Sequence, residues 1–145
     1  MEESLKLKNQ LCFPLYACSK ELIKRYKPLL DKLDLTYTQY IAMMVLWEYG
    51  SINVKNLGDM LYLDSGTLTP LLKKLESKGY ITRNRDTADE RNLIISITDS
   101  GKKLKNEAMG VPSEISKCVC LTKEEAIELY RLLYKVLGKF GEDDV

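Results

Sequence analysis

The 145-residue sequence contains no histidine. That removes the side chain most often used as a general base near neutral pH, and the commonest metal ligand. Cysteine is sparse: Cys12, Cys18, Cys118 and Cys120, with no CxxC pair among them. A structural zinc site would need all four thiolates from two distant regions, so neither a metal nor another cofactor is expected, and no catalytic residue set is visible. No run of eighteen apolar residues occurs, so no membrane span is expected. The opening MEESLKLKNQ lacks the apolar core of an export signal, and the expected compartment is the cytoplasm, with its cysteines reduced. An excess of one charge is also missing. Basic and acidic residues number seven and six over 1–52, seven and six over 53–91, and eight and nine over 92–145, for a net +1. Affinity for nucleic acid would therefore have to come from local geometry.

What is present is enough apolar material, 45% of residues, to bury one domain's core. From about Leu5 to Leu33 the pattern is helical, with Pro14 and Pro28 expected to bend or interrupt it. Thr36 and Gln39 have capping-box spacing and open a second helix, whose stretch Tyr40 to Trp47 is apolar nearly all round; Gly50 ends it. Asn53 caps a short helix to about Tyr62. The cluster Asp64-Ser65-Gly66-Thr67 makes a turn and opens a helix from Leu68 to Lys78, with Leu68, Leu71, Leu72 and Leu75 at helical spacing. Strand-like runs at 80–85 and 92–97 flank the polar tip Asp86 to Arg91 and predict a hairpin. Thr98 caps a helix to about Met109, Gly110 and Pro112 break it, and Thr122 with Glu125 opens a last apolar helix.

This order predicts a mainly α fold with a small β-hairpin: a winged helix-turn-helix with long terminal helices. Residues 36–111 form the DNA-binding region, and 1–35 with 112–145 the helical dimerisation region, intertwined as one domain. In such a unit the second helix enters the major groove and the wing reaches the backbone or minor groove. A two-fold homodimer would set two such helices about one DNA turn apart, which suits a pseudo-palindromic operator in double-stranded DNA.

The segment Leu63-Asp64-Ser65-Gly66-Thr67-Leu68-Thr69-Pro70-Leu71-Leu72-Lys73-Lys74-Leu75-Glu76 resembles the recognition helix of MarR-family winged-helix regulators, nearest the oxidation-sensing OhrR-like branch. Asp89-Glu90-Arg91, followed by Ile95-Ser96-Ile97-Thr98-Asp99-x-Gly101, resembles the wing of that family. Asn9-Gln10-Leu11-Cys12-Phe13, with Tyr16 a turn on, resembles the sensing-cysteine segment of the branch. The similarity covers about residues 5 to 140.

The resemblance implies a dimeric repressor, not an enzyme, that releases DNA when Cys12 is oxidised by organic hydroperoxide. Tyr26 and Tyr37 match the tyrosines that hydrogen-bond the sulfur, and Tyr16 matches a third aromatic nearby. An ordinary cysteine, pKa about 8.5, is only a few per cent thiolate at neutral pH, and phenolic donors stabilise that reactive form. Two-cysteine members resolve the oxidised sulfur with a late cysteine of the other subunit, for which Cys118, or failing that Cys120, is the candidate; Cys18 reads as packing. For DNA the candidates are Ser65, Thr67 and Thr69 at the start of the recognition helix, Lys73 and Lys74 along it, and Arg83, Arg85, Asp89 and Arg91 around the wing. Arg91 matches the groove-inserting arginine and Asp89 the acid that positions it. Two alternatives stand beside this reading: a MarR-type regulator released by a small aromatic ligand, and a thiol peroxidase.

Overall fold

The computed structural model describes residues 2–143, with side chains to Gly138. Two 3-10 turns, Glu2–Leu5 and Leu7–Asn9, precede α1 (Cys12–Asp31), α2 (Tyr37–Tyr49), β1 (Ser51–Asn53), α3 (Val54–Leu61), α4 (Ser65–Ser77), β2 (Ile81–Arg85), β3 (Leu93–Ile97), α5 (Asp99–Ala108), α6 (Val111–Ser116) and α7 (Lys123–Asp143). The chain divides into two units, Met1–Pro112 and Ser113–Val145.

In the first unit α2 is the central helix. Its Tyr40, Ala42, Met43 and Leu46 are buried, as are Leu30, Leu57, Leu68, Leu72, Leu75, Ile81 and Ile95 from the elements around it. The capping box is complete: the Thr36 hydroxyl accepts the Gln39 N–H at 3.3 Å, and Gln39 Oε1 accepts the Thr36 N–H at 3.0 Å. Asn53 caps α3 by accepting the Asn56 N–H at 2.7 Å, and Thr98 caps α5 by accepting that of Gly101 at 3.1 Å. The helices therefore start where short polar side chains absorb otherwise unpaired N–H groups.

Several expectations change. The first helix runs unbroken through both prolines. Pro14 lies in its first turn, where no intrahelical donor is required, and Pro28 lies three residues from its end. The hairpin gains a third strand: β1 pairs antiparallel with β3, Ile52 opposite Ile95, giving the order β1-β3-β2. The recognition helix begins at Ser65, three residues before Leu68, because Asp64 is its cap, accepting the Thr67 N–H at 2.8 Å. Pro70 then lies in the second turn and leaves the Gly66 carbonyl without its usual i+4 donor. Gly110 and Pro112 do interrupt α5, but the short α6 starts at once, with Pro112 in its first turn.

Gly101 is where α5 meets the base of the wing. A Cβ there would lie 2.4 Å from the Tyr80 carbonyl oxygen and 2.8 Å from Ile97 Cγ1. Trp47 Nε1–H donates to the Gly101 carbonyl at 2.9 Å, tying α2 to the same point. In the second unit, Thr122 and Glu125 form a capping box that opens α7, with bonds of 2.9 and 3.1 Å.

Candidate nucleic-acid interface and thiol site

Leucines at 68, 71, 72 and 75 bury one face of α4 and leave Ser65, Thr67, Thr69, Lys73 and Lys74 exposed on the rest. Asp64 takes the capping duty, so the Ser65 hydroxyl is not needed for it. Asp64's carboxyl is held below its ordinary range chiefly by the Thr67 N–H.

β2 and β3 project a tip over residues 86–92, closed by Asp86 N–H to the Asn92 carbonyl at 2.8 Å and Asn92 N–H to the Asp89 carbonyl at 3.0 Å. The Arg91 side chain is 90% exposed, yet Asp89 grips it with both oxygens: Nε donates to Oδ1 at 3.0 Å and an Nη to Oδ2 at 3.1 Å. That bidentate pair pushes the Asp89 carboxyl down and the Arg91 guanidinium up, so both stay charged. A groove of about 450 Å³ runs between the wing and the head of α4, lined by Lys55, Asp64, Ser65, Arg91 and Asn92 among others. Of the helix and wing candidates, the groove brings Ser65 and Arg91 together.

Two wing arginines differ. Arg85 is exposed, whereas Arg83 lies back on α4, with Nε and an Nη donating to Glu76 Oε1 at 3.2 and 3.1 Å. Arg83 therefore braces the wing against the recognition helix and is less exposed than Arg85. Lys55, in the first turn of α3, joins this groove as a further cation; its signal in the sequence is a lysine opening the helix before the recognition helix.

Cys12 opens α1 and is exposed, as are Cys18, Cys118 and Cys120. Phe13 and Tyr16 stack beside it, ring centroids 6.4 Å apart. Tyr26 and Tyr37 are not there. Tyr26 is fourteen residues along the same helix, roughly 21 Å at 1.5 Å per residue. It packs on Tyr37 at 4.8 Å and Tyr40 at 5.9 Å. Burial raises the phenol pKa of all three tyrosines, with neighbouring phenols adding to it at Tyr26 and Tyr40, so they remain neutral O–H donors. One chain therefore separates the thiol from the tyrosine cluster. Cys118 and Cys120 occupy the link between α6 and α7. Among the described residues no group of three or more Cys, Asp or Glu is placed to hold a metal ion, and no helix is long and apolar enough to cross a membrane.

A helix-turn-helix with a three-stranded wing, an exposed arginine at the wing tip and a basic, hydroxyl-rich helix beside it define a winged-helix regulator. Comparison with known proteins makes this specific. The transcriptional regulator SarA/Rot family pattern matches residues 24–108. The organic hydroperoxide resistance transcriptional regulator of Bacillus subtilis is 50% identical over 135 residues, covering 93% of this chain and 92% of its own. Reduced AbfR bound to DNA, a protein of Staphylococcus epidermidis, is 35% identical with a TM-score of 0.77, covering 96% of this chain and 97% of its own. Disulfide-formed AbfR is 35% identical with a TM-score of 0.65, covering 94% and 96%. The chain belongs to the SarA/Rot family of transcriptional regulators, winged-helix proteins of the MarR type, and is a regulator rather than an enzyme.

Proposed function

We propose that the chain is a dimeric, cytoplasmic repressor that holds double-stranded operator DNA when reduced and releases it when organic hydroperoxide oxidises Cys12. Residues 36–111 read the DNA and residues 1–35 with 112–145 form the dimer. The observation that carries the DNA reading is Arg91, nine-tenths exposed yet fixed by both oxygens of Asp89. Held in this way it enters a groove at little cost in side-chain order, while Ser65, Thr67 and Thr69 face bases and phosphates and Lys55, Lys73, Lys74 and Arg85 face phosphates. The apolar surface of α7, with Ile127, Leu129, Tyr130 and Leu132 each more than two-fifths exposed, supports burial against a second copy.

The separation of Cys12 from Tyr26 and Tyr37 fits a composite site, in which the tyrosines of one protomer serve the thiolate of its partner. There the thiolate attacks the peroxide, the O–O bond breaks, an alcohol leaves and a sulfenic acid remains. A thiol of Cys118, or of Cys120, then displaces water from it to form an inter-subunit disulfide. The kinship with a hydroperoxide-resistance regulator and the disulfide-formed state of AbfR support this sequence of steps. A non-reducing gel tests it: cumene hydroperoxide converts wild type to a covalent dimer, Cys12→Ser abolishes it, and loss in Cys118→Ser or Cys120→Ser identifies the resolving thiol. Wild type remaining monomeric on the gel refutes the disulfide.

A second reading, release by a small aromatic ligand, is favoured by an apolar groove of about 360 Å³ lined by Tyr40, Met44, Trp47, Ala108 and Met109. Release that persists in Cys12→Ser would select it.

A further inference from the structure

Lys78 directly follows the recognition helix, and its side chain is only 26% exposed. It turns away from the DNA-facing surface toward the corner between α1 and α2. Its ammonium donates to the Asp34 backbone carbonyl and lies 3.5 Å from both Asp34 Oδ2 and Gln39 Oε1. Each contact has a consequence. Asp34 holds a positive φ of 54° in the turn that closes α1, a conformation costly for a residue with a Cβ, so its carbonyl direction is fixed by that turn. Gln39 is 4% exposed, the one buried polar side chain among the described residues, and the same Oε1 completes the capping box of α2. Tyr37, which packs on Tyr26, is the first residue of that helix.

A chain of direct contacts therefore runs from the Tyr26–Tyr37 pair through the start of α2 to Gln39, then Lys78, and so to the end of the recognition helix. We propose that Lys78 is a positioning residue that couples the state of the tyrosine cluster to the orientation of α4. The inference rests on the release reading above. When the tyrosines lose their partner's thiolate, the start of α2 adjusts, the shared Gln39 oxygen moves with it, and the ammonium carries that movement to α4. A half-buried ammonium follows its acceptors because leaving them unmade is costly. Its place at the C-terminal end of α4, where free carbonyls gather, favours a cation in either state. Lys78 thus sets how α4 responds to the switch, more than how tightly the reduced protein binds.

The test uses the full-length protein and, as probe, a fluorescein-labelled duplex selected from a random pool by the reduced wild type. Lys78→Met keeps the aliphatic stem, and Lys78→Arg keeps the donors. The expected result is a reduced-state Kd within about threefold of wild type for both. The ratio of peroxide-treated to reduced Kd falls roughly tenfold in Lys78→Met, the size typical of one link in a coupled network, and largely recovers in Lys78→Arg. A ratio unchanged in Lys78→Met, or a parallel loss of reduced-state affinity, would show a merely structural lysine and overturn the proposal. If wild type itself ignores peroxide, the release reading fails, and a double-mutant cycle of Lys78→Met with Tyr37→Ala on reduced-state Kd still decides. Effects that combine non-additively by more than threefold uphold the coupling, and additive effects refute it.

Discussion

Replacing Gly101 by alanine tests the packing of α5 against the base of the wing. An alanine normally stabilises a helix relative to glycine by up to about 1 kcal/mol, the upper bound for Gly101 in the first turn of α5. Here the new methyl would meet the Tyr80 carbonyl oxygen at 2.4 Å and Ile97 Cγ1 at 2.8 Å. The carbonyl cannot rotate away as a side chain would, because it accepts the Thr98 N–H at 3.0 Å at the start of α5. The Gly101 carbonyl is itself held by the Trp47 indole. Relief therefore requires α5 and the wing to separate, an overpacking cost at the upper end of about 1–3 kcal/mol. Subtracting the helix-propensity gain leaves a net loss of about 2 kcal/mol, which for a chain of this size lowers Tm by roughly 4–8 °C. Thermal unfolding followed by circular dichroism measures it, with Gly138→Ala as the opposite case. Among the described residues nothing beyond its own helix lies within 4 Å of a Cβ at Gly138, which gains up to about 1 kcal/mol on substitution. A Gly101→Ala protein as stable as wild type would refute the packing argument.

Arg91→Ala lowers operator affinity sharply without unfolding the protein, because the groove contact is lost; anisotropy titrations measure it, and affinity within about twofold of wild type would refute the wing assignment. The raised phenol pKa values of Tyr26, Tyr37 and Tyr40 give a signed pH effect. The native state favours the protonated phenols, so their contribution is fully present below the ordinary tyrosine pKa of about 10 and is lost as pH rises through the higher native values. Phenolate absorbance in the native protein therefore titrates in part above pH 10 and shifts down in denaturant, and a single titration at the ordinary value would contradict it.

Features built on a few adjacent residues were legible in the sequence. The capping box of Thr36 and Gln39, the caps at Asn53 and Thr98, and the box of Thr122 and Glu125 each satisfy N–H groups within three residues, so spacing alone announces them. The start of α4 is masked in the sequence because Gly66 and Pro70 are poor helix formers; Asp64 overrides them from the cap position. β1 is not legible because its three residues, Ser51–Asn53, carry no alternation of their own. Its existence depends on β3, more than forty residues away. The Glu76 partner of Arg83 is hidden from the sequence for the same reason, since the two meet only once the wing folds back on α4. For the thiol site the sequence supplied the residues but not their grouping. Cys12 and Tyr26 occupy one continuous helix, and that continuity, which two prolines obscured, is what holds them apart.

The most direct test of the central claim is fluorescence anisotropy on the selected duplex, with and without cumene hydroperoxide, for wild type and Cys12→Ser. A fall of about 4 kcal/mol in binding free energy, close to a thousandfold in Kd, is predicted for oxidised wild type, with Cys12→Ser remaining bound under the same treatment. If both proteins stay bound, or both let go, Cys12 is not the switch.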